Sequence, residues 1–96
     1  MSALSILVVN LVHKGEEDFI AAELTKLMPF NLAEAGLVSY ELLRDPTDPC
    51  RFVHVEKWAS RAAFDAHVAS DHVKAWQAAS ECKIAHSQVY LLDRFL

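Results

Sequence analysis

A strand that leads directly into a capped helix is the feature of this sequence that most constrains its fold. The stretch Arg51–Trp58 has the two-residue period of a β-strand. One face of this strand would carry Phe52, His54, Glu56 and Trp58. Ser60 then provides a good N-cap for a helix that we expect over Arg61–Ala69. The rest of the chain should supply a sheet and a second helix against which this segment packs.

The segment that follows is predicted to be helical but interrupted. Ser70-Asp71 resembles a second helix cap, so we expect the helix to restart or kink there. Val73, Trp76 and Ala79 continue its apolar face.

The other strands and the first helix can also be placed along the chain, which gives the order of secondary-structure elements. Strands are expected at residues 4–12, 37–43 and 88–92, and a helix from about Glu16 to Met28 that stops before Pro29. A short helical turn over Asn31–Ala35 can follow, and Gly36 is expected in a left-handed conformation before the next strand. A turn over Arg44–Cys50 should connect the second and third strands. The order βαββαβ predicts an α+β, ferredoxin-like fold, an antiparallel sheet with both helices on one face.

The composition predicts one domain, residues 1–96, that associates with a second copy. A chain of 96 residues with 53% hydrophobic residues has more apolar surface than so small a core needs. The sheet face without helices would carry Val53, Val55 and Leu43, which favours contact with another sheet. We therefore expect a homodimer that packs face to face.

Charge and hydropathy exclude several classes of partner. The net charge of −4 and nine scattered Lys and Arg residues argue against a nucleic-acid protein. No apolar run approaches the roughly 20 residues of a membrane span, and the first twelve residues lack the features of a signal peptide. Cys50 and Cys82 are far apart and form no Cys-x-x-Cys motif, so we expect reduced thiols in a cytoplasmic protein.

Two histidines in the interrupted helix are candidates for acid–base chemistry. His67 and His72 are five residues apart, a spacing that separates side chains by roughly 140° on a regular helix. A kink could bring them together, but the sequence indicates no third metal ligand, so no metal site is predicted. Each could be a partly exposed histidine without a role. Alternatively, one could line a cavity between helix and sheet and move a proton near pH 7.

A buried amide and two indoles are the other candidates. Asn10 lies within an apolar strand, where its amide needs hydrogen-bond partners; it is either a satisfied core residue or a ligand for a substrate oxygen. Trp58 and Trp76 could be core residues or the walls of a site for a flat aromatic ligand. Glu56 is costly to bury unpaired, so it should have a cation or backbone donors nearby or lie at the rim of the sheet. The sequence has no phosphate loop, nucleophile elbow or dinucleotide motif.

Residues 51–76 resemble the antibiotic biosynthesis monooxygenase domain family, and in particular its quinol monooxygenases. The matching residues are Glu56, Trp58, Ala63, Phe64, His67, Ser70, His72 and Trp76, together with upstream Asn10, Gly36, Tyr40 and the Arg44-Asp45-Pro46 turn. The resemblance covers nearly the whole chain. It implies a dimeric α+β barrel with one cavity per subunit between the sheet and the helices.

The resemblance further implies a cofactor-independent monooxygenase. In such enzymes a deprotonated quinol or polyphenol passes an electron to molecular oxygen. Asn10, His67 and His72 would then be the catalytic residues. The substrate-binding residues would be Trp58, Trp76, His54, Tyr40 and Phe64.

The family resemblance leaves two other functions open. One branch handles a phosphorylated autoinducer sugar by isomerisation, so the resemblance also implies that His67 and His72 could serve a small-molecule isomerase. The chain could also be a non-catalytic, ligand-binding stress-response module. Haem-degrading relatives use a tryptophan and a histidine where this chain has His67 and Gln77, which disfavours haem.

Overall fold

The computed structural model describes residues 3–96, so the first two residues of the predicted domain lie outside the described part. The elements follow in the order β1 (Leu4–Val12), α1 (Glu17–Leu32), β2 (Leu37–Asp45), β3 (Asp48–Trp58), α2 (Arg61–Val68), α3 (Asp71–Ser80) and β4 (Ile84–Leu92). With α2 and α3 counted as one interrupted helix, this is the predicted βαββαβ arrangement. The ferredoxin-like α+β fold is therefore confirmed.

The four strands form one antiparallel sheet in the order β2-β3-β1-β4. The two central strands are paired so that Val8 lies opposite His54 and Asn10 opposite Phe52. Because side chains alternate across a sheet, these residues share the face that the helices cover. The predicted inward face of β3 is confirmed, since Phe52, His54, Glu56 and Trp58 are all buried.

Both predicted serine caps are present. The Ser60 hydroxyl accepts a hydrogen bond from the Ala63 backbone N–H, and the Ser70 hydroxyl accepts one from the Val73 N–H. Each bond satisfies a backbone donor that the start of a helix leaves without a partner. The interruption between α2 and α3 is therefore encoded locally, by a second cap in the middle of the segment.

Helix α1 differs from the prediction, because it does not stop before Pro29 but continues to Leu32. Proline removes one backbone hydrogen bond from a helix interior. Packing of the last turn outweighs this cost: Asn31 in that turn is fully buried. Only residues 33–36 remain to connect α1 to β2.

The connection between β2 and β3 is shorter than the predicted turn. The strands extend to Asp45 and from Asp48, so only Pro46 and Thr47 join them. The Asp45 carboxylate accepts hydrogen bonds from both the backbone N–H and the hydroxyl of Thr47, which closes the turn tightly. Strand β4 is also longer than predicted, since it begins at Ile84.

The predicted left-handed conformation of Gly36 is wrong. Among the described residues the positive φ belongs to Gly15, at 97°. Gly36 is needed for a different reason, because a Cβ there would lie 2.3 Å from the Cβ of Ala63. The glycine allows β2 to begin against the first turn of α2.

The other face of the sheet has no helix over it. It carries exposed apolar side chains that alternate with those facing the helices: Leu43, Val55, Tyr90 and Leu92. Cys50 and Cys82 are free thiols, as predicted. Within residues 3–96, no helix is both long enough and apolar enough to span a bilayer.

Candidate functional site

A cavity of about 470 Å³ lies between the helix-covered face of the sheet and helices α2 and α3. Its size suits a small ligand with one or two rings. The floor is formed by β1, β3 and β4, and the Trp76 side chain of α3 lines the opposite wall. The polar residues at this cavity include Asn10, Tyr40, His54, Glu56 and His67.

Tyr40 and His54 form a hydrogen-bonded pair across β2 and β3. The Tyr40 hydroxyl lies 2.7 Å from Nδ1 of His54. Burial, followed by the negative charge of Glu56 and a hydrogen bond with it, raises the pKa of Tyr40 above its ordinary value, so the phenol stays protonated and has a proton to donate. Burial, assisted by the nearby His67, lowers the pKa of His54 to about 4, so this imidazole is neutral at pH 7. In the tautomer in which Nδ1 accepts a hydrogen bond from the phenol, the ring proton of His54 resides on Nε2.

Among the described residues 3–96, two buried polar atoms of cavity-lining residues have no hydrogen-bond partner. They are Nε2 of His54 and Oδ1 of Asn10. Both residues line the cavity, and their strands are adjacent in the sheet. Because an unsatisfied buried polar group costs about 1–3 kcal/mol, such atoms commonly mark a place for a ligand or water. In the tautomer with the proton on Nε2, a ligand that reached these atoms would find one donor, N–H of His54, and one acceptor, the carbonyl of Asn10.

Glu56 is buried beside the cavity and is held by Trp58. The Trp58 indole Nε1–H donates to Oε1 of Glu56 at 2.9 Å. Burial raises the pKa of the Glu56 carboxyl, while the hydrogen bond from Trp58 and the nearby His67 oppose this shift. A side-chain donor, the indole, thus takes the place of the cation or backbone donors that the sequence predicted for a buried glutamate.

His67 is held between two carboxylates. Its Nδ1 lies 2.5 Å from Oε2 of Glu34, and its Nε2 lies 4.0 Å from Oε1 of Glu56. Because a carboxylate can only accept, Nδ1 carries a proton in this contact. In the neutral ring, Nε2 is then the unprotonated nitrogen, and His67 lines the cavity. The Trp58 ring packs against the imidazole with centroids 4.5 Å apart, which fixes its orientation.

His72 reaches the same glutamate from the start of α3. Its Nε2 lies 2.9 Å from Oε2 of Glu34 and 3.2 Å from the Ser70 hydroxyl. The break between α2 and α3 brings the two imidazoles to a centroid distance of 6.1 Å, which their spacing on one regular helix would not allow. Glu34, His67 and His72 each place a possible metal-ligand atom within 4.8 Å of the others.

The structure brings most of the predicted site residues to one cavity. Those that line it are Asn10, Tyr40, His54, Phe64, His67 and Trp76. Trp58 is fully buried behind this wall, in contact with Phe64 and His67. His72 instead lines a neighbouring cavity between α1 and α3, where its ring stacks on Phe30.

Glu34 is the site residue that the sequence did not indicate. It lies in the connection after α1, and 33 residues separate it from His67. No motif or periodic pattern includes it. The one available signal was a lone carboxylate in a short connection, which is common on protein surfaces.

The fold and the cavity define the class of protein: a small ferredoxin-like α+β domain with a ligand-sized cavity between sheet and helices. Residues 4–79 match the family model for antibiotic biosynthesis monooxygenase. The chain belongs to the antibiotic biosynthesis monooxygenase family, as its resemblance indicated. A comparison with curated proteins gave no significant match.

Solved structures share this fold over nearly their whole length. An antibiotic biosynthesis monooxygenase is 24% identical, with a TM-score of 0.92 over 97% of this chain and 99% of that one. The protein PA3566 from Pseudomonas aeruginosa is 24% identical, with a TM-score of 0.93 over 100% and 97%. The protein SO0527 from Shewanella oneidensis is 28% identical, with a TM-score of 0.89 over 97% and 91%.

Proposed function

We propose that this protein is a cofactor-independent monooxygenase that oxidises a small quinol or polyphenol with molecular oxygen. The observation that carries the proposal is the pair of unpartnered atoms at one cavity, His54 Nε2 and Asn10 Oδ1. A phenolic substrate matches them, because one oxygen can accept from His54 while a hydroxyl donates to Asn10. Phe64 and Trp76 would pack against its ring.

The proton of the substrate would be taken by His67. Its Nε2 is unprotonated in the neutral ring, because Glu34 holds the proton on Nδ1. After proton transfer, the Glu34 carboxylate would stabilise the imidazolium, as a carboxylate does for the histidine of other proton-transfer sites. Glu34 would thus be a positioning residue that acts through His67.

The reaction would use the electron-rich phenolate itself as reductant. The phenolate gives one electron to O₂, and the resulting substrate radical and superoxide join through a new C–O bond. His67 would return its proton to the peroxide, which then loses water as its O–O bond breaks and the ring C–H proton leaves. A phenol and O₂ would thereby give a quinone and H₂O, and a quinol and O₂ a hydroxyquinone and H₂O, with one of the two O₂ atoms in each product.

We also propose that a second copy of the chain covers the open face of the sheet. Leu43, Val55, Tyr90 and Leu92 lie on that face and are 38–48% exposed. Apolar surface of this kind is stabilised by burial in an interface. The family membership supports a homodimer of this form, and the free thiols suit a reducing, cytoplasmic location.

A second candidate is an isomerase that moves a proton without using oxygen. Glu56 and His67 favour it, because a carboxyl with a raised pKa lies 4.0 Å from an imidazole at the same cavity. Such a pair could give a proton to one position of a substrate and take it from another.

Oxygen dependence separates the two candidates. Metal-free protein should consume O₂ with a subset of quinols and polyphenols, and Asn10→Leu should abolish that consumption. An isomerase would turn over equally well under nitrogen and would incorporate solvent deuterium into its substrate. Ligand-dependent thermal stabilisation without any product would indicate a binding module instead.

A further inference from the structure

Three side chains next to the cavity present metal-ligand atoms to one point. They are Oε2 of Glu34, Nδ1 of His67 and Nε2 of His72, and all three lie within 4.8 Å of one another. We propose that this cluster, which we call the Glu34 cluster, binds one divalent first-row transition-metal ion such as Zn²⁺ or Co²⁺. The proposal does not depend on the monooxygenase reaction.

The fold assembles the cluster from three separate elements. Glu34 follows the end of α1, His67 lies in the last turn of α2, and His72 lies in the first turn of α3. The side chains of Glu34, His67 and His72 are only 17%, 7% and 20% exposed. Ligands that are fixed by three packed elements and partly shielded from water resemble a built site rather than a chance surface grouping.

The groups around the cluster also suit a metal site. A histidine that binds a metal through one ring nitrogen usually donates the other N–H to a carboxylate. Nε2 of His67 lies 4.0 Å from Oε1 of Glu56, which is close enough for this role after a small movement. The Phe30 ring stacks on His72 at a centroid distance of 5.6 Å and covers its outer side.

The ligand set selects the class of ion. Two imidazole nitrogens and one carboxylate oxygen suit zinc, cobalt, nickel or iron, whereas magnesium and calcium prefer oxygen ligands alone. Metal–ligand bonds of about 2.0–2.1 Å place neighbouring tetrahedral ligands about 3.3 Å apart. The present distances from Oε2 of Glu34, 2.5 and 2.9 Å, are shorter than this. An ion would therefore replace two hydrogen bonds, and the three ligand atoms, now within 4.8 Å of one another, would move to this spacing.

Metal binding and proton acceptance by His67 exclude each other. When Nδ1 holds a metal, the proton of the neutral ring moves to Nε2, which can then no longer accept one. If the chain is a monooxygenase of the proposed type, Zn²⁺ should inhibit it at the concentration that fills the site. Inhibition by Zn²⁺ is measured separately from Zn²⁺ binding, so failure of the metal-site proposal can be told apart from failure of the monooxygenase proposal.

Calorimetric titration with ZnCl₂ tests the site directly. Chelator-treated full-length protein should bind one Zn²⁺ per chain, and Co²⁺ should give the visible absorption bands of a low-coordinate nitrogen–oxygen site. Glu34→Gln and His72→Ala should each weaken Zn²⁺ binding about 10- to 100-fold or more. His13→Ala is the matched control at an exposed histidine outside the cluster, and it should leave binding unchanged.

An exposed thiol is the main competing ligand, so the titration is repeated with Cys82→Ser. Unchanged affinity in Cys82→Ser, together with the losses above, supports the Glu34 cluster. The proposal is overturned if wild-type protein binds no Zn²⁺, or if Cys82→Ser alone abolishes binding. It is also overturned if Glu34→Gln and His72→Ala, shown to be folded by circular dichroism, bind as tightly as wild type.

Discussion

The Tyr40 hydroxyl lies 2.7 Å from Nδ1 of His54, and this contact joins β2 to β3 at the candidate site. It fixes the ring of His54, a cavity-lining residue whose other nitrogen has no hydrogen-bond partner among residues 3–96. Together with the unpartnered carbonyl of Asn10, it gives the cavity one donor and one acceptor. The proposed recognition of a phenolic substrate depends on this arrangement.

Removal of the Tyr40 hydroxyl should destabilise the protein. Tyr40→Phe leaves Nδ1 of buried His54 without a partner, and we expect a loss of about 1–3 kcal/mol in the free energy of unfolding. Urea denaturation measures this change. Thr25→Val is the control, because the Thr25 hydroxyl donates to the Ala21 carbonyl at an exposed position and its loss should change stability by less than about 0.5 kcal/mol. Equal losses in the two variants would contradict a specific role for the Tyr40–His54 bond.

Asn10→Leu should stabilise the free protein while removing ligand binding. Replacement of an unsatisfied buried amide by an apolar group of similar size should raise the free energy of unfolding by about 1–3 kcal/mol. Gains of this kind at the expense of activity are characteristic of functional residues. Urea denaturation and a thermal-shift assay with a quinol panel measure the two effects.

Asn31→Leu is the matched control for this prediction. Asn31 is also buried with an unpartnered Oδ1, but it is not among the residues that line the cavity. The Asn31→Leu substitution should therefore leave quinol binding intact. If Asn10→Leu binds quinols like wild type, Asn10 is not a substrate ligand.

His54 should make stability depend on pH below neutrality. Its pKa is about 4 in the folded protein against an ordinary value of 6.5, so between these values the unfolded chain binds an extra proton. The contribution of His54 is therefore present above about pH 6.5 and is lost as pH falls towards 4, by about 3 kcal/mol in total. Glu56, with a raised pKa, acts in the opposite direction over part of this range.

Comparison with His54→Gln separates these contributions. Glu56, Tyr40 and His67, which surround His54, remain in both proteins. The difference in unfolding free energy between wild type and variant should therefore change by about 3 kcal/mol from pH 7 to pH 4. A difference that is constant with pH would show that His54 is not held neutral by burial.

Gly36 should be intolerant of alanine because of Ala63. A Cβ at Gly36 would lie 2.3 Å from the Cβ of Ala63, and we expect Gly36→Ala to cost about 1–3 kcal/mol. Addition of Ala63→Gly should recover part of this loss, with a coupling energy of about 1 kcal/mol or more in a double-mutant cycle. Gly15→Ala is the control: it has a positive φ but no neighbour within 4 Å, so Ala63→Gly should not rescue it. Independent effects of the two substitutions would contradict the close approach of β2 and α2.

The sequence predicted the fold because the decisive signals are local. The alternation of β3 identified its buried face, and Ser60 and Ser70 marked the helix starts through bonds to backbone groups three residues away. The course of α1 through Pro29 was mispredicted because tertiary packing outweighs one missing backbone bond. Gly36 was predicted to be needed for a left-handed backbone, whereas it is needed because Ala63, on a distant element, lies too close for a Cβ.

The candidate site was predictable only in part. Asn10 was conspicuous because a polar residue interrupts an apolar strand, and the family resemblance supplied most of the other positions. Glu34 could not be found, because its contacts with His67 and His72 depend on how three elements pack. The same packing brings the two histidines together, although their spacing had argued against a shared site.

Oxygen labelling with a quinol that the protein turns over is the most direct test of the proposed activity. Under ¹⁸O₂, metal-free protein should place one labelled oxygen in the quinone product and release the other as water, and Asn10→Leu should show no turnover. Product without label under ¹⁸O₂, or no oxygen consumption with any quinol or polyphenol offered, would contradict a monooxygenase at this cavity.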